Sequence, residues 1–225
     1  MAKIIVSYDG SDYDRDALAF GKLLARTGAT LELAYVRHAH ESEAAREQLA
    51  EHEAEELLSS GALDLGAPAT PRHVVFSGST PDGLRDLALE TGASMIVFGS
   101  EYRTTPGHVD PQASARRLLD GGPVALGVAP AGFHEQNGHP VATVAAVAAV
   151  GEDDDPSVLE TAKAIAARFG AAVAPRATAD VDLIVVGSKA GTPAGRVRIS
   201  AAAEYLVELA RCPVIVLPRG GPLRL

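Results

Sequence analysis

Apolar and polar positions alternate in blocks along the first 130 residues. Five short apolar runs predict β-strands, and longer stretches of helical periodicity or high polarity separate them. The runs lie at residues 4–8, 31–36, 73–76, 95–98 and 124–128. Strands that alternate with helices predict a parallel sheet covered on both faces.

The stretches between these runs predict four helices. The first has an apolar face formed by Ala17, Phe20, Gly21 and Leu24. Ser11, with Asp14 three residues later, resembles a capping box that begins this helix, and Gly28 ends it. Residues 41–60 predict a charged surface helix, Thr80 caps a helix that Gly92 ends, and a fourth helix is expected at about 111–120.

The chain also repeats itself. Residues 95–100 read Met-Ile-Val-Phe-Gly-Ser and residues 183–188 read Leu-Ile-Val-Val-Gly-Ser. Each is followed by a loop, a helix-like stretch and a strand that opens with Pro-Val, at Pro123 and Pro213. The repeats are about 88 to 90 residues apart. A repeated strand–loop–helix–strand unit indicates two copies of one α/β module.

The second copy is shorter than the first. We expect a full module at 1–130, a linker rich in Gly, His and Pro at 131–140, and a truncated module at 141–225. Its first helix begins at Asp155-Pro156 and ends at Gly170, a brief strand follows at 171–174, and the repeat is reached at 183. A helix, a strand and another helix are missing, and an edge strand is the easiest to lose. The two modules are expected to pack as an intramolecular pseudo-dimer.

Composition narrows the classes of function. The apolar fraction is 47% and the aromatic fraction 4%, without Trp, which predicts an aliphatic core. A formal net charge of −9 argues against general binding to nucleic acid or anionic membranes. One cysteine, Cys212, excludes an internal disulfide and fits a reducing compartment. With no signal-peptide pattern and no apolar run long enough to span a bilayer, a cytoplasmic location is expected.

Ligands of α/β modules bind where parallel strands end. The candidate segments are the turn Asp9-Gly10-Ser11 after the first strand and the loop from Gly99 to Gln112 after the fourth. Asp9 can equally be a turn residue, and Gly99 and Gly187 can serve tight turns only. The seven histidines show no metal-ligand spacing, His38 and His40 being the closest pair, so no metal site is expected.

Several segments of the chain are distinctive when taken together. These are Val6-Ser7-Tyr8-Asp9-Gly10-Ser11, the pairs Gly99-Ser100 and Gly187-Ser188, and Tyr205-Leu206-Val207-Glu208 followed by Cys212-Pro213-Val214-Ile215-Val216. Together they resemble the universal stress protein family, specifically its tandem two-domain kind from high-GC bacteria. The resemblance implies two Rossmann-like doubly wound modules of the adenine nucleotide alpha hydrolase type, the second truncated. It also implies that the modules pair through their last strands.

Nucleotide-binding members of this family carry Gly, two residues, Gly, nine residues, Gly, then Ser or Thr. Glycines let backbone N–H groups approach phosphates at a helix N-terminus. In this chain the first glycine is Gly99, but the later positions hold other residues: Tyr102, Gln112 and Ala113. In the second copy Gly187 is present and the later positions hold Ala190, Ser200 and Ala201. The acid that Asp9 supplies in the first copy falls near Val150, ahead of Asp153–Asp155.

Two functions therefore stay open. The first is a non-catalytic regulatory or adaptor protein with degenerate nucleotide-binding loops, which meets an unidentified protein partner and can form a homodimer. The alternative is a stress protein that binds AMP or ATP through Asp9, the Val36 backbone, Gly99 and Ser100. An ATP-consuming enzyme is disfavoured because the chain has no phosphate loop.

Tight ATP binding is not expected. Asp110 precedes Pro111 and is predicted to cap the following helix, which would place a carboxylate where phosphate would bind. A phosphate or sulfate is expected instead at the second loop, beside Gly187, Ser188 and Ser200. Ser200 is the predicted cap of the last helix, and three cations in that loop have no acid among them: Lys189, Arg196 and Arg198.

Overall fold

The computed structural model describes residues 2–38, 44–136, 140–148, 155–178 and 180–225. Its first half contains five strands and four helices, in the predicted alternation. They are β1 (Lys3–Ser7), α1 (Asp14–Ala25), β2 (Thr30–Arg37), α2 (Ala44–Asp64), β3 (Arg72–Phe76), α3 (Thr80–Thr91), β4 (Met95–Phe98), α4 (Ala113–Leu119) and β5 (Ala125–Val128).

The second half is shorter, as predicted. A single 3₁₀ turn at Phe133–Glu135 precedes it. Its elements are β6 (Thr143–Val147), α5 (Pro156–Phe169), β7 (Ala172–Ala174), β8 (Leu183–Val186), α6 (Ala201–Leu209) and β9 (Val214–Val216). The α/β fold class is confirmed, while the module boundaries at 130 and 141 stay a prediction. Among the described residues, no helix is both long and apolar enough to cross a bilayer.

The nine strands of the described residues form one sheet in the order β3-β2-β1-β4-β5-β9-β8-β6-β7. Every neighbouring pair is parallel except β5 and β9, which run antiparallel. Gly127 of β5 lies opposite Ile215 of β9, and the two strands are fully buried. The two halves therefore meet through their last strands, as the family resemblance implies.

The strand register corrects the spacing of the repeat. Ile96 pairs with Leu126, and its counterpart Ile184 pairs with Val214. Leu126 and Val214 are thus equivalent, and the interval stays at 88 residues. Pro123 and Pro213, which are 90 residues apart, are not equivalent positions. With the same interval, Gly127 and Ile215 are equivalent to each other, so a pseudo-two-fold axis passes between them.

The missing strand is an edge strand, as expected. In the first half β1 lies between β2 and β4, and in the second half β6 lies between β7 and β8. Among the described strands, only β3, at the outer edge, has no counterpart. The central strands are kept because each supports neighbours on both sides, whereas an edge strand supports one.

Apolar side chains cover both faces of this sheet. One cluster contains Phe20 of α1, Leu58 of α2 and Ile165 of α5, and the other contains Leu84 of α3 and Val207 of α6. Each cluster includes residues from both halves of the chain. The halves therefore share continuous apolar packing, which is the main source of their association.

Two helix starts differ from the predictions. α1 begins after Tyr13 without a side-chain cap, because the Asp14 carboxylate turns back to the preceding loop instead of capping with Ser11. α3 is capped by Ser79, whose side chain accepts the Asp82 N–H, so the cap is one residue before the predicted Thr80. Gly92 and Gly170 end their helices in the left-handed conformation, as predicted.

Candidate functional site

The turn between β1 and α1 is organised by a buried carboxyl, Asp14. Its Oδ2 accepts the backbone N–H groups of Asp9 and Gly10, and the Asp9 Oδ1 accepts the Ser11 N–H at 2.9 Å. Burial, together with the negative charge and hydrogen bonding of Asp9, raises the pKa of Asp14 to about 8. Asp14 is therefore largely protonated at neutral pH, and sequence reasoning gave it only a capping role.

Asp9 titrates in the opposite direction. Partial burial acts to raise its pKa, but hydrogen bonds from Asp14 and Ser11 outweigh that effect and lower it. The pair consists of an ionised, exposed Asp9 next to a neutral, buried Asp14, the usual outcome when two carboxyls share one site. The Asp9 carboxylate thus accepts a hydrogen bond within the turn and also presents a negative charge to solvent.

Val36 lies on β2 beside this turn. Tyr8 N–H donates to the Ala34 carbonyl on the β1 side, and Ser77 N–H donates to the Arg37 carbonyl on the β3 side. Successive residues of a strand direct their backbone groups to opposite sides, so the N–H and C=O of Val36 face the β1 side. Because β1 ends at Ser7, these groups point into the crevice above the strand ends.

Gly99 is required by a close approach of two loops. A Cβ at this position would lie 2.2 Å from the carbonyl oxygen of Tyr13. Tyr13 also contacts Tyr102 edge to face, with ring centroids 5.5 Å apart, and the Arg103 guanidinium lies 5.0 Å above the Tyr102 ring. Asp9, Val36 and Gly99 thus lie at neighbouring strand ends, where β1, β2 and β4 stop, and Tyr102 stands where the family pattern has glycine.

Ser100 closes the loop that follows β4. Its buried hydroxyl donates to the Ala129 carbonyl at 2.6 Å and accepts the Asp110 N–H at 3.1 Å. The Glu101 N–H donates to the Asp110 carbonyl at 2.7 Å. The hydroxyl is satisfied by these internal bonds, so its role in the structure is to hold the loop.

Ser188 makes the same contacts 88 residues later. Its hydroxyl donates to the Leu217 carbonyl at 2.6 Å and accepts the Arg198 N–H at 3.0 Å, and the Lys189 N–H donates to the Arg198 carbonyl at 2.7 Å. The preceding Gly187 gives room to α5, since a Cβ there would lie 2.7 Å from Val158 Cγ2. Both loops are therefore built on one hydrogen-bonding plan.

Each of these loops also contacts the other half of the chain. Val109 N–H donates to the Ala210 carbonyl at 3.2 Å, and Val197 N–H donates to the Gly122 carbonyl at 2.8 Å. Both donors and both acceptors are 88 residues apart, so the two bonds are related by the pseudo-two-fold axis. The loops after β4 and β8 are thus part of the contact between the halves.

Asp110 does not cap α4, contrary to the prediction. The residue before α4 is Gln112, which makes no side-chain cap, and Asp110 instead forms an ion pair with Arg116 at 2.5 Å. The Gln112 side chain donates to the Ser100 carbonyl at 3.4 Å. Arg116 draws the carboxylate away from the helix N–H groups because an ion pair with a guanidinium is the stronger hydrogen bond.

One of the three cations of the second loop, Arg198, has a counter-charge from outside the loop, whereas the sequence analysis predicted none. Arg198 Nε lies 2.8 Å from Oδ1 of Asp120, at the end of α4, and Arg196 donates to the Gly121 carbonyl at 3.3 Å. These partners belong to the first half, which a search for acids inside the loop could not reveal. Ser200 does cap α6, accepting the Ala203 N–H at 3.2 Å, as predicted.

A second repeated contact was missed by the sequence analysis. Asp16 Oδ2 accepts the Gly132 N–H, and Asp155 Oδ2 accepts the Gly220 N–H, both at 2.9 Å. Burial acts to raise the pKa of Asp155, but hydrogen bonds from Gly220 and Ser157 lower it. Two features of the sequence could have revealed this contact. They are the acid near the start of α1 and of α5, and the glycine four residues after β5 and β9.

Three earlier candidates carry little chemistry. Burial and the charge of Asp182 raise the pKa of Cys212 to about 12, so it is an unreactive thiol. Among the described residues no group of three His, Cys, Asp or Glu could hold a metal ion. His38 contacts Thr80 at 3.0 Å. His40, Val150, Asp153 and Asp154 lie outside the described residues.

Comparison with known proteins agrees with this architecture. The model of the universal stress protein family matches residues 1–109. No curated protein matches the chain. A universal stress protein structure from Archaeoglobus fulgidus DSM 4304 is similar, with 14% identity and a TM-score of 0.70, over 97% of this chain and 98% of that one.

Two further structures are similar to different extents. A functionally unknown protein from Pseudomonas aeruginosa PAO1 has 15% identity and a TM-score of 0.64, over 98% of this chain and 93% of that one. The universal stress protein from Archaeoglobus fulgidus in complex with dAMP has 25% identity and a TM-score of 0.37, over 44% of this chain and 81% of that one. The family match places residues 1–109 in the universal stress protein family, and the similar structures show that its fold extends over nearly the whole chain.

Proposed function

We propose that the protein is a non-catalytic regulator or adaptor, in which the loops after β4 and β8 join the two halves and do not hold the phosphates of a nucleotide. The observation that carries this proposal is the reciprocal pair of bonds from Val109 to Ala210 and from Val197 to Gly122. In each half the loop that would hold phosphate is directed at the other half.

The hydrogen-bonding state of the loops supports the proposal. A phosphate site needs backbone N–H groups that have no protein partner. Asp110 and Arg198 donate their N–H groups to serine hydroxyls, and Glu101 and Lys189 donate theirs to backbone carbonyls. A phosphate that entered either loop would have to displace these bonds.

The charge at each loop points the same way. Glu101 and Asp110 are carboxylates in the first loop, and Arg116 already pairs with Asp110. In the second loop Arg198 pairs with Asp120, so a phosphate or sulfate there would compete with an existing ion pair. Arg116 and Arg198 are therefore already engaged by carboxylates, and a phosphate would have to compete for them.

A second candidate function rests on the crevice of the first half. The Val36 backbone groups face the crevice, and Asp9 is an ionised acid beside them. Backbone N–H and C=O groups can pair with the edge of an adenine, and a carboxylate can accept hydrogen bonds from ribose hydroxyls. This arrangement suits AMP or a nucleoside better than ATP, because it needs no phosphate loop.

Mass spectrometry of the gently purified protein separates the two candidates. The adaptor proposal expects the intact protein to carry no nucleotide under native conditions, and denatured samples to release none. Stoichiometric release of AMP or another adenine nucleotide would support the second candidate and contradict the first. The Asp9→Ala variant is the control, since it should lose any nucleotide held in the crevice.

A further inference from the structure

An apolar groove of about 580 Å³ lies along α6 on the second half of the sheet. Its apolar lining comes from β8, α6 and the segments beside them and includes Val181, Ile184, Leu206, Ala210 and Cys212. Two large apolar side chains of α6 also line it and are mostly exposed, Tyr205 at 64% and Leu209 at 57%. Adjacent exposed apolar side chains of this size mark an interaction surface.

The groove lies where the second half lacks a helix. Thr30 pairs with Lys3 of β1, and Ala172 pairs with Thr143 of β6, the strand that corresponds to β1. Thr30 and Ala172 are therefore equivalent, and Val36 and Thr178, six residues after each of them, are equivalent as well. The 88-residue interval makes Ala93 the counterpart of Val181. Two residues therefore replace residues 37–92 of the first half, which contain α2, β3 and α3. Thr178 and Val181, on either side of this deletion, both line the groove.

In the first half the corresponding place is filled by α3. Its side chains Leu84, Leu87 and Ala88 are buried in the cluster that includes Ile96, Leu118 and Val124. The residues 88 positions after Ile96, Leu118 and Val124 are Ile184, Leu206 and Cys212. All three of these counterparts line the groove. The second half thus keeps the apolar floor on which a helix packs in the first half.

The wall of the groove is more apolar than its counterpart. In the first half, a hydrogen bond from Ser79 lowers the pKa of Asp82 of α3, and the nearby charge of Arg117 of α4 lowers it further. The counterpart of Arg117 is Tyr205, and the counterpart of Gly121 is Leu209. Exposed apolar side chains therefore stand where the first half has a cation and a glycine.

The charge around the groove selects one kind of helix. His108 and Arg211 line it, and none of the lining side chains is a carboxylate. Asp182 lies close enough to affect Cys212, but its carboxylate accepts the N–H groups of Ala142 and Thr143. α3 itself carries three acids and one arginine. An acidic helix therefore complements the groove better than a basic one.

We propose that this groove binds an acidic amphipathic helix of a partner protein, in the place that α3 occupies in the first half. The helix would present leucines at positions i and i+3 and a small residue at i+4, as α3 presents Leu84, Leu87 and Ala88. Tyr205 and Leu209 contact its apolar face. The inference rests on the proposed adaptor role, to which it gives a binding surface and a class of partner.

A peptide of residues 79–92, the α3 sequence, is a direct probe of the groove. A hydrocarbon staple between positions 85 and 89, which are partly exposed and exposed, respectively, in α3, keeps the short peptide helical, and circular dichroism checks this first. The fluorescent peptide is titrated with the full chain and its anisotropy is measured. We expect saturable binding of the peptide to the full chain. The Tyr205→Glu/Leu209→Glu variant of the chain should bind it at least tenfold more weakly. A peptide that carries Leu84→Asp and Leu87→Asp should not bind.

Leu159→Glu is the matched control, because Leu159 is a similarly exposed leucine on α5, away from the groove. It should bind the peptide as the unsubstituted chain does. No binding by the unsubstituted chain, or equal binding by the double variant, overturns the inference. So does a dimer in sedimentation velocity that Leu209→Glu converts to a monomer, since the groove would then hold a second copy. A nucleotide found by mass spectrometry would overturn the proposed function alone.

Discussion

Replacing Asp14 with Asn should change how stability depends on pH. The pKa of Asp14 is about 8 in the folded chain and 3.8 in its ordinary state, so the folded chain binds one more proton between these values. When folding raises the pKa of a group, the group contributes its full share to the free energy of unfolding at pH values below its pKa in the unfolded chain. This contribution is lost as the pH rises through its pKa in the folded chain. Stability that comes from Asp14 should therefore fall between about pH 4 and pH 8.

The magnitude follows from the size of the shift. One bound proton corresponds to about 1.4 kcal/mol for each pH unit, or about 6 kcal/mol over the whole window. Asn resembles the protonated acid: its oxygen can accept the N–H groups of Asp9 and Gly10, and its amide can donate to the Asp9 carboxylate. The variant should match the unsubstituted chain in stability at about pH 4 and below, and should exceed it by a margin that grows from pH 5 to pH 8.

The assay is urea unfolding at pH 5, 6, 7 and 8, with the free energies of unfolding of the two chains subtracted at each pH. The subtraction removes the titration of histidines that both chains share. Asp12→Asn is the control, because the Asp12 side chain is 84% exposed and its replacement should give no such trend. A difference between the Asp14→Asn variant and the unsubstituted chain that is constant from pH 5 to pH 8 would refute the reasoning.

Two further substitutions test the loops by urea unfolding. Gly99→Ala should cost about 3 kcal/mol, because its Cβ would meet the Tyr13 carbonyl oxygen, whereas Gly187→Ala meets only a Val158 methyl group and should cost about 1 kcal/mol; equal costs would contradict this. Ser100→Ala and Ser188→Ala should each cost about 2–3 kcal/mol, since each leaves a carbonyl and an N–H without its partner. A large difference between the two serine variants would show that the loops are not built alike.

Local sequence signals predicted local structure well. The fifth helix begins after Asp155 and Ser200 caps the sixth, as expected, and Gly92 and Gly170 end their helices, because each of these features depends on residues within one helical turn. The loss of an edge strand also followed from the sequence, since the repeat showed that about fifty residues were missing and a doubly wound sheet tolerates the loss of an edge strand more easily than that of a central one.

Predictions that depended on distant partners were wrong. The spacing from Ser11 predicted that Asp14 takes part in a capping box. In the structure Asp14 is buried and accepts a backbone hydrogen bond from the preceding turn instead. The positive charge of the second loop was judged from that loop alone, although Asp120 lies 78 residues from its partner Arg198. A search for acids near in sequence cannot find a counter-ion that only the joining of the two halves brings close.

Titration calorimetry with ATP is the most direct measurement of the central claim, that the loops after β4 and β8 join the halves and do not hold phosphates. The account expects no binding heat from the full chain at ATP concentrations up to about millimolar, because Ser100 and Ser188 already occupy loop N–H groups that phosphate would need. Micromolar or tighter ATP binding that Asp9→Ala abolishes would contradict it.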